Sequence, residues 1–393
     1  MRVGEGKTDI PVRSLWLLLI YASNMLRQLK ADEREALMSG KRDADLIEAI
    51  TEVLVAEVES RIRKQLSYHY QRRSADLTRV RGRVDHLKTQ SHRLLEQGKI
   101  ACVFDDLNVD SPRNRFVAAT LRRAASVIAT NGASPVDSRQ LARRCENAAF
   151  VMQRMGVSPQ PPSRAELSRD RLGHHDSHDR RMLDAAHLVH DMALPYHEQG
   201  PSSVPRLLRD EPRYRKLFEK AVRGFLYFKL HPQGWTVHSP HLAWPHADDS
   251  GSADLLPIMK TDIVVVDPSQ HRRIVIETKF KDALVENYGK TTINRDYVFQ
   301  LYAYLRSQAD TADIAAETAE GILLFVAANG RQPIDRSVTI QSHRIRFLSV
   351  DLSRPPHDIR QRLSKCFEPP NLKADDDASM GTTFTSTAQG QGI

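Results

Sequence analysis

The chain has 393 residues, 40% of them hydrophobic and 27% charged, and its formal net charge is +8. This length allows two or more domains with cores of their own, the composition is that of an ordinary globular protein, and the positive charge favours nucleic acid or another polyanion as a partner. Three cysteines, far apart and without a Cys-x-x-Cys spacing, argue against a disulfide framework and a cysteine zinc site and favour a reducing cytoplasm.

The first half of the chain is predicted to combine helices and strands. Helical periodicity marks five segments, at about residues 13 to 28, 44 to 66, 114 to 131, 138 to 155 and 179 to 194. Two stretches are typical of strands, ADLTRVRGRVDHL at 75–87 and GKIACVFDDL at 98–107. The apolar run LWLLLIYA at 15–22 resembles the hydrophobic part of a signal peptide but is too short to span a bilayer. Because Pro11 stands where a helix could begin and Asn24 and Arg27 continue a helical pattern, we favour a buried N-terminal helix over an export signal and expect no membrane association.

A polar, proline-containing stretch at about 198 to 212 predicts a domain boundary. We place the boundary at residue 205, which gives an α+β N-terminal domain at 1–205 and a second domain at 206–370. Residues 371–393 contain too little apolar surface to fold, and we predict a disordered tail there.

The second domain is predicted to contain a central mixed sheet flanked by helices. Its elements follow the order α-β-β-β-α-β-β-α, with a helix at 213–230, a strand in GWTVHSPHLAW, two strands in 261–281, a helix at 294–307, strands at 321–328 and 343–352, and a closing helix in PHDIRQRLSKCF. A crossover helix between two strands allows those strands to pair in parallel, which makes the sheet mixed.

Charged residues occupy unusual positions in the two strands of TDIVVVDPSQHRRIVIETKFK (261–281). Asp262 opens the first strand, while Glu277 and Lys279 lie one residue apart in the second and therefore share one face of it. A buried sheet rarely places charges at such positions. Either Glu277 and Lys279 form a partly buried ion pair and Asp262 is unrelated to them, or the three residues together form a binding site.

The pattern of Asp262 followed by Glu277-Thr278-Lys279 resembles the D…(D/E)xK signature of the PD-(D/E)xK nuclease superfamily. Two carboxylates on adjacent strands can converge on Mg²⁺, which prefers oxygen ligands, and the backbone carbonyl of Thr278 is a further candidate ligand. Such a metal activates water and neutralises charge on a scissile phosphate. Lys279 would orient the attacking water or stabilise the transition state. The resemblance implies an α/β restriction-endonuclease-like domain that hydrolyses phosphodiesters.

Two further features accompany this signature. Gln300 and Tyr304 lie one turn apart in DYVFQLYAYL, which resembles the helical Q-x-x-x-Y motif of many superfamily members. Taken alone, the pattern is explained better by an amphipathic helix with a tyrosine stripe. Glu219 is a candidate additional metal ligand from the first core helix. Its alternative role is an exposed ion pair with Arg223, four residues on.

A narrower resemblance runs along residues 9 to 352. The segments that carry it, in chain order, are IPVRSLWLLLIYA, VRGRVDHLKT, FDDLNVDSPRNRFV, LFEKAV and the block from Asp262 to Tyr304. Together they resemble the McrC family, the nuclease subunit of McrBC-type 5-methylcytosine restriction systems. One departure is Glu277, where aspartate is common in the family; either carboxylate binds Mg²⁺, so the longer side chain affects metal geometry more than activity.

This resemblance implies a division of labour with a partner. An McrB-like AAA+ GTPase ring would recognise modified DNA and translocate it, while this chain docks through its N-terminal domain and cuts. The sequence YGKTT agrees, because Leu284 replaces the first glycine that a P-loop requires. A group of basic residues either contacts DNA phosphates or the ring, or is merely solvated: Arg61, Arg63, Lys64, Arg72, Arg73, Arg79, Arg81 and Arg83.

Two other functions remain open from sequence alone. The chain would be a catalytically inert docking regulator of an NTPase if its nuclease site were vestigial, although the presence of Asp262, Glu277 and Lys279 argues against this. It would be a stand-alone DNA repair nuclease if it had no GTPase partner. Which modified base is recognised is a property we expect the partner to determine.

Overall fold

The structure is a computed structural model that describes residues 2–3, 8–170, 172, 179–197, 211–246, 251–287, 290–327 and 332–368. The predicted boundary at residue 205 and the predicted tail at 371–393 both lie outside the described residues. No helix among the described residues is long and apolar enough to cross a membrane.

The N-terminal half combines helices with short strands. Its helices are α1 (Val12–Ala22), α2 (Met25–Gln28), α3 (Ala31–Met38), α4 (Leu46–Lys64), α5 (His86–Ser91), α6 (Pro112–Asn131), α7 (Pro135–Arg154), α8 (Arg164–Arg169) and α9 (Arg180–His197). Its strands are β1 (Arg2–Val3), β2 (Thr8–Asp9), β3 (His69–Leu77), β4 (Arg83–Val84) and β5 (Ile100–Asn108). Strand β5 lies between β3 and β4 and is antiparallel to both.

Two sequence predictions for this half need correction. The helix predicted at 13–28 ends at Ala22, because Ser23 adopts an extended backbone and its N–H group caps the carbonyls of Ile20 and Leu19. The strand predicted at 75–87 forms only at 75–77, within β3, and at 83–84, which is β4. Asp85 accepts a hydrogen bond from the Lys88 backbone and so begins the helix α5, since a carboxylate is a favourable N-cap.

The C-terminal half is built on one large sheet. Its helices are α10 (Glu211–Leu230), α11 (Arg295–Ser307), α12 (Ile314–Glu317) and α13 (Pro356–Ser364). Its strands are β6 (Thr236–His238), β7 (His241–Leu242), β8 (Met259–Lys260), β9 (Ile263–Val266), β10 (Arg273–Lys279), β11 (Leu284–Asn287), β12 (Lys290–Ile293), β13 (Glu320–Val326), β14 (Asp335–Ile340) and β15 (His343–Val350).

Six of these strands form the central sheet in the order β14-β15-β13-β10-β9-β6. Strands β10, β13 and β15 run parallel to one another and the other pairs are antiparallel, so the predicted mixed sheet is confirmed. Alternation along β10 separates two apolar layers: Ile274 and Ile276 pack on the side of α10 and α13, while Val275 packs on the side of α11. The sheet is therefore flanked by helices on both faces, as predicted.

The two halves share a continuous apolar core that crosses the predicted boundary. Helix α1 packs directly on α10, and a Cβ atom placed on Gly224 of α10 would lie only 1.9 Å from the carbonyl oxygen of Tyr21. Only glycine permits that approach of two backbones. On the same side, the buried Arg360 of α13 donates hydrogen bonds of 2.7 Å to both carboxylate oxygens of Asp43. The division into domains at residue 205 stays a prediction.

Candidate functional site

Strand pairing brings the three residues of the D…ExK pattern together. Strands β9 and β10 are antiparallel, and Ile263 is the register partner of Ile276. Asp262 precedes Ile263 and Glu277 follows Ile276, so the two carboxylates lie side by side at the same end of the strand pair. Lys279 lies two residues further along β10, on the face that Glu277 occupies.

Asp262 is held in place by Thr278. The backbone N–H and the hydroxyl of Thr278 both donate to Oδ2 of Asp262, each at 2.7 Å. Hydrogen bonds to a charged carboxylate are the stronger kind, and together they fix the direction of the side chain. The sequence had suggested Thr278 only as a carbonyl ligand; its role in positioning Asp262 depends on the tertiary structure and was missed.

Glu277 is buried beside a like charge. Only 4% of the residue is exposed. Burial, followed by the neighbouring charge of Asp262, raises the pKa of Glu277 to about 7, and the charge and hydrogen bond of Lys279 oppose that rise. Lys279 Nζ donates to Oε1 at 2.8 Å, while Oε2 is buried and has no hydrogen-bond partner within the described structure. An orphan carboxylate oxygen of this kind is costly unless something binds it.

Lys279 belongs to a chain of hydrogen bonds that reaches across to α11. Its Nζ donates to Oε1 of Gln300 at 3.0 Å, and Nε2 of Gln300 donates to the Tyr304 hydroxyl at 2.8 Å. That hydroxyl in turn donates to the carbonyl oxygen of Lys260 at 3.0 Å. The structure therefore places the predicted Gln300 and Tyr304 behind Lys279. Tyr297, on the same helix and missed in the sequence, has its ring centroid 4.7 Å from Nζ of Lys279.

A cavity of about 250 Å³ opens over the carboxylates. Its walls consist of acidic, basic and aromatic groups: Arg215, Glu219, Asp262, Glu277, Thr278, Lys279, Phe280, Lys281 and Tyr297. We call it the catalytic cavity because its lining contains the predicted catalytic residues Asp262, Glu277 and Lys279. Helix α10 contributes Glu219, whose pKa is raised by burial and then by the charge of Asp262, while its carboxylate lies 3.6 Å from Arg223. The contact with Arg223 agrees with one of the two roles considered for Glu219, and the role of metal ligand stays a prediction.

The donor set of the catalytic cavity fits a hard divalent cation better than a soft one. Its acidic lining consists of Asp262, Glu277 and Glu219, and the orphan Oε2 of Glu277 is available. Within the described ranges no three His, Cys, Asp or Glu side chains are arranged as a complete metal cluster. Mg²⁺ does not require one, because it retains several waters and is commonly held by one or two carboxylates together with substrate phosphate.

The predicted basic group divides into buried, paired and exposed members. Arg61 is largely buried and its Nε lies 3.0 Å from the fully buried Asp179, so its charge is directed into the fold and not towards a partner. Arg73 and Arg81 both approach Asp106, at 3.5 and 2.9 Å. The remaining members are exposed: Arg63, Lys64, Arg72, Arg79 and Arg83.

The chain is similar to known proteins over most of its length. A family model described as McrBC 5-methylcytosine restriction system component matches residues 2–317. The chain is 24% identical over 361 residues to the Type IV methyl-directed restriction enzyme EcoKMcrBC of Escherichia coli (strain K12), a match that covers 91% of this chain and 97% of that relative.

Two solved structures from Thermococcus gammatolerans are also similar. One is a half-complex from a tetradecameric assembly of McrB AAA+ hexamers with bound McrC, at a TM-score of 0.41 and 15% identity, covering 90% of this chain and 76% of that one. The other is a cryo-EM structure of the McrBC complex, at a TM-score of 0.32 and 16% identity, covering 57% of this chain and 73% of that one.

Proposed function

Because the chain belongs to the McrBC family of 5-methylcytosine restriction system components, as its sequence resemblance predicted, we propose that it is the subunit that cuts DNA. Its activity in this proposal is Mg²⁺-dependent hydrolysis of phosphodiesters within DNA, by a PD-(D/E)xK type of site. It works in the cytoplasm with an McrB-like AAA+ GTPase ring that recognises modified DNA.

The observation that carries this proposal is the state of Glu277. Its carboxylate is buried, lies beside the carboxylate of Asp262, and has one oxygen without a hydrogen-bond partner in the described structure. A chain gains no stability from two neighbouring carboxylates in a partly buried place, since each disfavours the charged form of the other. Such an arrangement supports a site that is completed by a cation, and perturbed carboxylates in a cavity are typical of catalytic centres.

Each residue of the catalytic cavity then has a distinct role. Asp262, Glu277, the Thr278 carbonyl and Glu219 would hold Mg²⁺, and the bound metal would supply the Lewis acid that activates water and neutralises charge on the phosphate. Thr278 keeps Asp262 oriented through its two hydrogen bonds. Lys279 places a positive charge where negative charge develops on the scissile phosphate.

Gln300 and Tyr304 act on Lys279 from behind. Their hydrogen bonds end on the backbone of Lys260, so the amide of Gln300 has a fixed direction when it accepts from Lys279. A lysine otherwise has many rotamers, and ordering them in advance saves conformational entropy in the transition state. We therefore assign Gln300 and Tyr304 as positioning residues.

Docking on the ring is assigned to the N-terminal region, residues 1–205. The strands β3 to β5 present exposed cations there, including Arg72, Arg79 and Arg83, together with exposed Tyr70 and Leu107. A surface that combines apolar and basic groups is typical of a protein interaction site. The partner would recognise methylated DNA, and the complex of the two proteins would bring that DNA to the catalytic cavity.

The test uses the full chain purified with its AAA+ partner. We expect methylated DNA to be cut in the presence of Mg²⁺ and GTP, and Asp262→Asn to bind the ring normally without cutting. Cleavage by the isolated chain at the rate of the complex would favour a stand-alone nuclease. GTPase stimulation without cleavage under any metal and substrate condition would favour an inert docking regulator.

A further inference from the structure

A second cavity, of about 310 Å³, lies where the end of α1 meets α10 and β6. Its wall is mostly polar and includes Arg27, Lys220, Arg223, Tyr227 and Ser239. We call it the basic cavity. The basic cavity and the catalytic cavity share no described lining residue.

Two contacts make the basic cavity a direct neighbour of the catalytic one. On α10, Nη1 of Arg223 lies 3.6 Å from Oε1 of Glu219, which lines the catalytic cavity. On the β6 side, the hydroxyl of Ser239 donates to the carbonyl oxygen of Thr261 at 2.7 Å, and Thr261 is the residue before Asp262. A long ligand bound at Asp262 would therefore reach the basic cavity if it extended from the catalytic cavity towards Arg223 and Ser239.

The basic cavity has an excess of positive charge. Its described lining contains Arg27, Lys220 and Arg223 but no aspartate or glutamate. Arg27 lies over the ring of Tyr227, 4.6 Å from its centroid, and Lys220 is exposed and has no ion-pair partner among the residues that the structure describes. Lys220 also borders a neighbouring cavity, whose two acids, Asp184 and Asp191, are matched there by Arg213 and Lys216. The remaining opposing charges are Glu219 next door and the C-terminal end of α1, which amounts to about half a negative charge. Three cations exceed both together.

We propose that the basic cavity binds a backbone phosphate of the DNA strand whose scissile phosphate lies in the catalytic cavity. This inference rests on the proposed nuclease function. A DNA strand repeats its phosphates along its length, so a strand held at Asp262 presents further phosphates to the walls beside it. Arginine and lysine side chains with an aromatic ring are the groups that bind nucleic-acid backbone. The basic cavity sets the direction in which the cut strand runs.

The experiment compares two double variants that each remove two positive charges. Arg27→Gln/Lys220→Gln changes the basic cavity, and Arg139→Gln/Arg143→Gln changes exposed positions of α7 as a matched control. Binding of a duplex oligonucleotide to the full chain is measured between about 50 and 200 mM salt, where each phosphate contact contributes about 0.9 to the slope of log K against log salt. The Asp262→Asn substitution is present throughout to prevent cleavage.

We expect the basic-cavity variant to bind about tenfold more weakly, with a slope that is lower by about 1 to 2. The control should keep the wild-type slope. With Asp262 restored and the partner present, KM for DNA should rise several-fold while kcat changes little. The single variant Lys220→Glu, at an exposed and unpaired position, should show the same trend and guards against a folding defect.

Equal slopes in the two double variants would overturn the proposal. So would loss of ring binding by the basic-cavity variant with unchanged DNA affinity, because the cavity would then bind an acidic surface of the partner. Failure of the proposed function gives a different result: wild type would not cut DNA with Mg²⁺, GTP and partner, whatever the slopes are.

Discussion

The charged side chains of strands β10 and β3 differ in how far they are buried. At the end of β10, Glu277 is buried and only 16% of the Lys279 side chain is exposed, and the two are joined at 2.8 Å. On β3, Arg73 has 53% of its side chain exposed and lies 3.5 Å from Asp106. The charges of Glu277 and Lys279 are fixed in direction, whereas that of Arg73 is largely solvated.

The contrast supports the proposal that the charges of β10 take part in the chemistry. A buried carboxylate raises the free energy of the folded state unless both its oxygens and its charge are compensated. Lys279 pairs only with Oε1 of Glu277, while Oε2 has no partner in the described structure and Asp262 adds a second negative charge, so the presence of Glu277 in β10 requires a reason beyond stability. An exposed ion pair is worth only about 0 to 1 kcal/mol, and one arginine there can replace another. Changes in the first region should therefore affect activity strongly, and single changes in the second should affect it weakly.

The largest effect on activity is expected from substitution of the two carboxylates, Asp262 and Glu277. Asp262→Asn and Glu277→Gln should each reduce cleavage by about three orders of magnitude or more, because each removes a charged oxygen donor without changing shape. Thermal unfolding should remain close to wild type, since the amide relieves like-charge repulsion. Cleavage rates and melting temperatures of the purified full-length variants test this.

The matched control is Asp296→Asn, an exposed carboxylate in the first turn of α11. It should keep its cleavage rate within about twofold, because exposed positions away from the site rarely matter. If Asp262→Asn and Glu277→Gln behaved like this control, the assignment of the catalytic cavity would be wrong.

The second prediction concerns the contact between α1 and α10, which joins the N-terminal half, with β3, to the C-terminal half, with β10. Gly224→Ala places a methyl group 1.9 Å from the Tyr21 carbonyl, so α1 and α10 must separate. Overpacking of this kind costs about 1 to 3 kcal/mol or more, which outweighs the gain of about 1 kcal/mol in helix propensity. Since the clash is with a backbone carbonyl, the cost should lie at the upper end of this range, about 3 kcal/mol, and we expect a net loss of about 2 kcal/mol in the free energy of unfolding, measured with urea.

Lys229→Ala, at an exposed position of the same helix, serves as the reference. It should alter the free energy of unfolding by no more than about 0.5 kcal/mol. Equal stabilities of the two variants would mean that α1 does not lie against α10 in solution.

The third prediction tests how the buried lysine is positioned. Gln300→Ala should lower the cleavage rate about tenfold, equal to about 1.4 kcal/mol, because Lys279 loses the acceptor that directs it. If Gln300 acts only through Lys279, the double variant Lys279→Ala/Gln300→Ala should be no slower than Lys279→Ala alone. Independent, multiplicative losses would assign Gln300 a direct contact with substrate.

The parts of this site that the sequence predicted are those determined by local periodicity. Glu277 and Lys279 share a strand face, and Gln300 and Tyr304 share a helix face, so their pairings followed from spacing alone. The mixed character of the sheet followed from the order of helices and strands along the chain, whereas the order of the strands within the sheet was not predicted. Strand β14 was missed because nearly all of it is exposed, which removes the alternation by which a strand is recognised.

Other features depend on contacts between distant parts of the chain and have no local signal. Thr278 orients Asp262 only because two strands pair across a turn. The approach of Tyr21 to Gly224, about two hundred residues apart in the sequence, likewise required the tertiary structure. A lone glycine in a helical pattern indicates a close contact but does not identify the partner.

The smallest effects are expected in the exposed region of β3 to β5. Arg72→Gln, Arg79→Gln and Arg83→Gln should each change the free energy of unfolding by less than about 0.5 kcal/mol and cleavage by less than about threefold, because each charge is solvated and replaceable. The triple variant should weaken binding to the AAA+ partner in a salt-dependent way, since such attractions add and are screened by ions. Pull-down with the partner at low and high salt measures this. A single substitution that abolished cleavage as completely as Asp262→Asn would show that exposed charges here are as specific as buried ones, and the contrast between the two regions would fail.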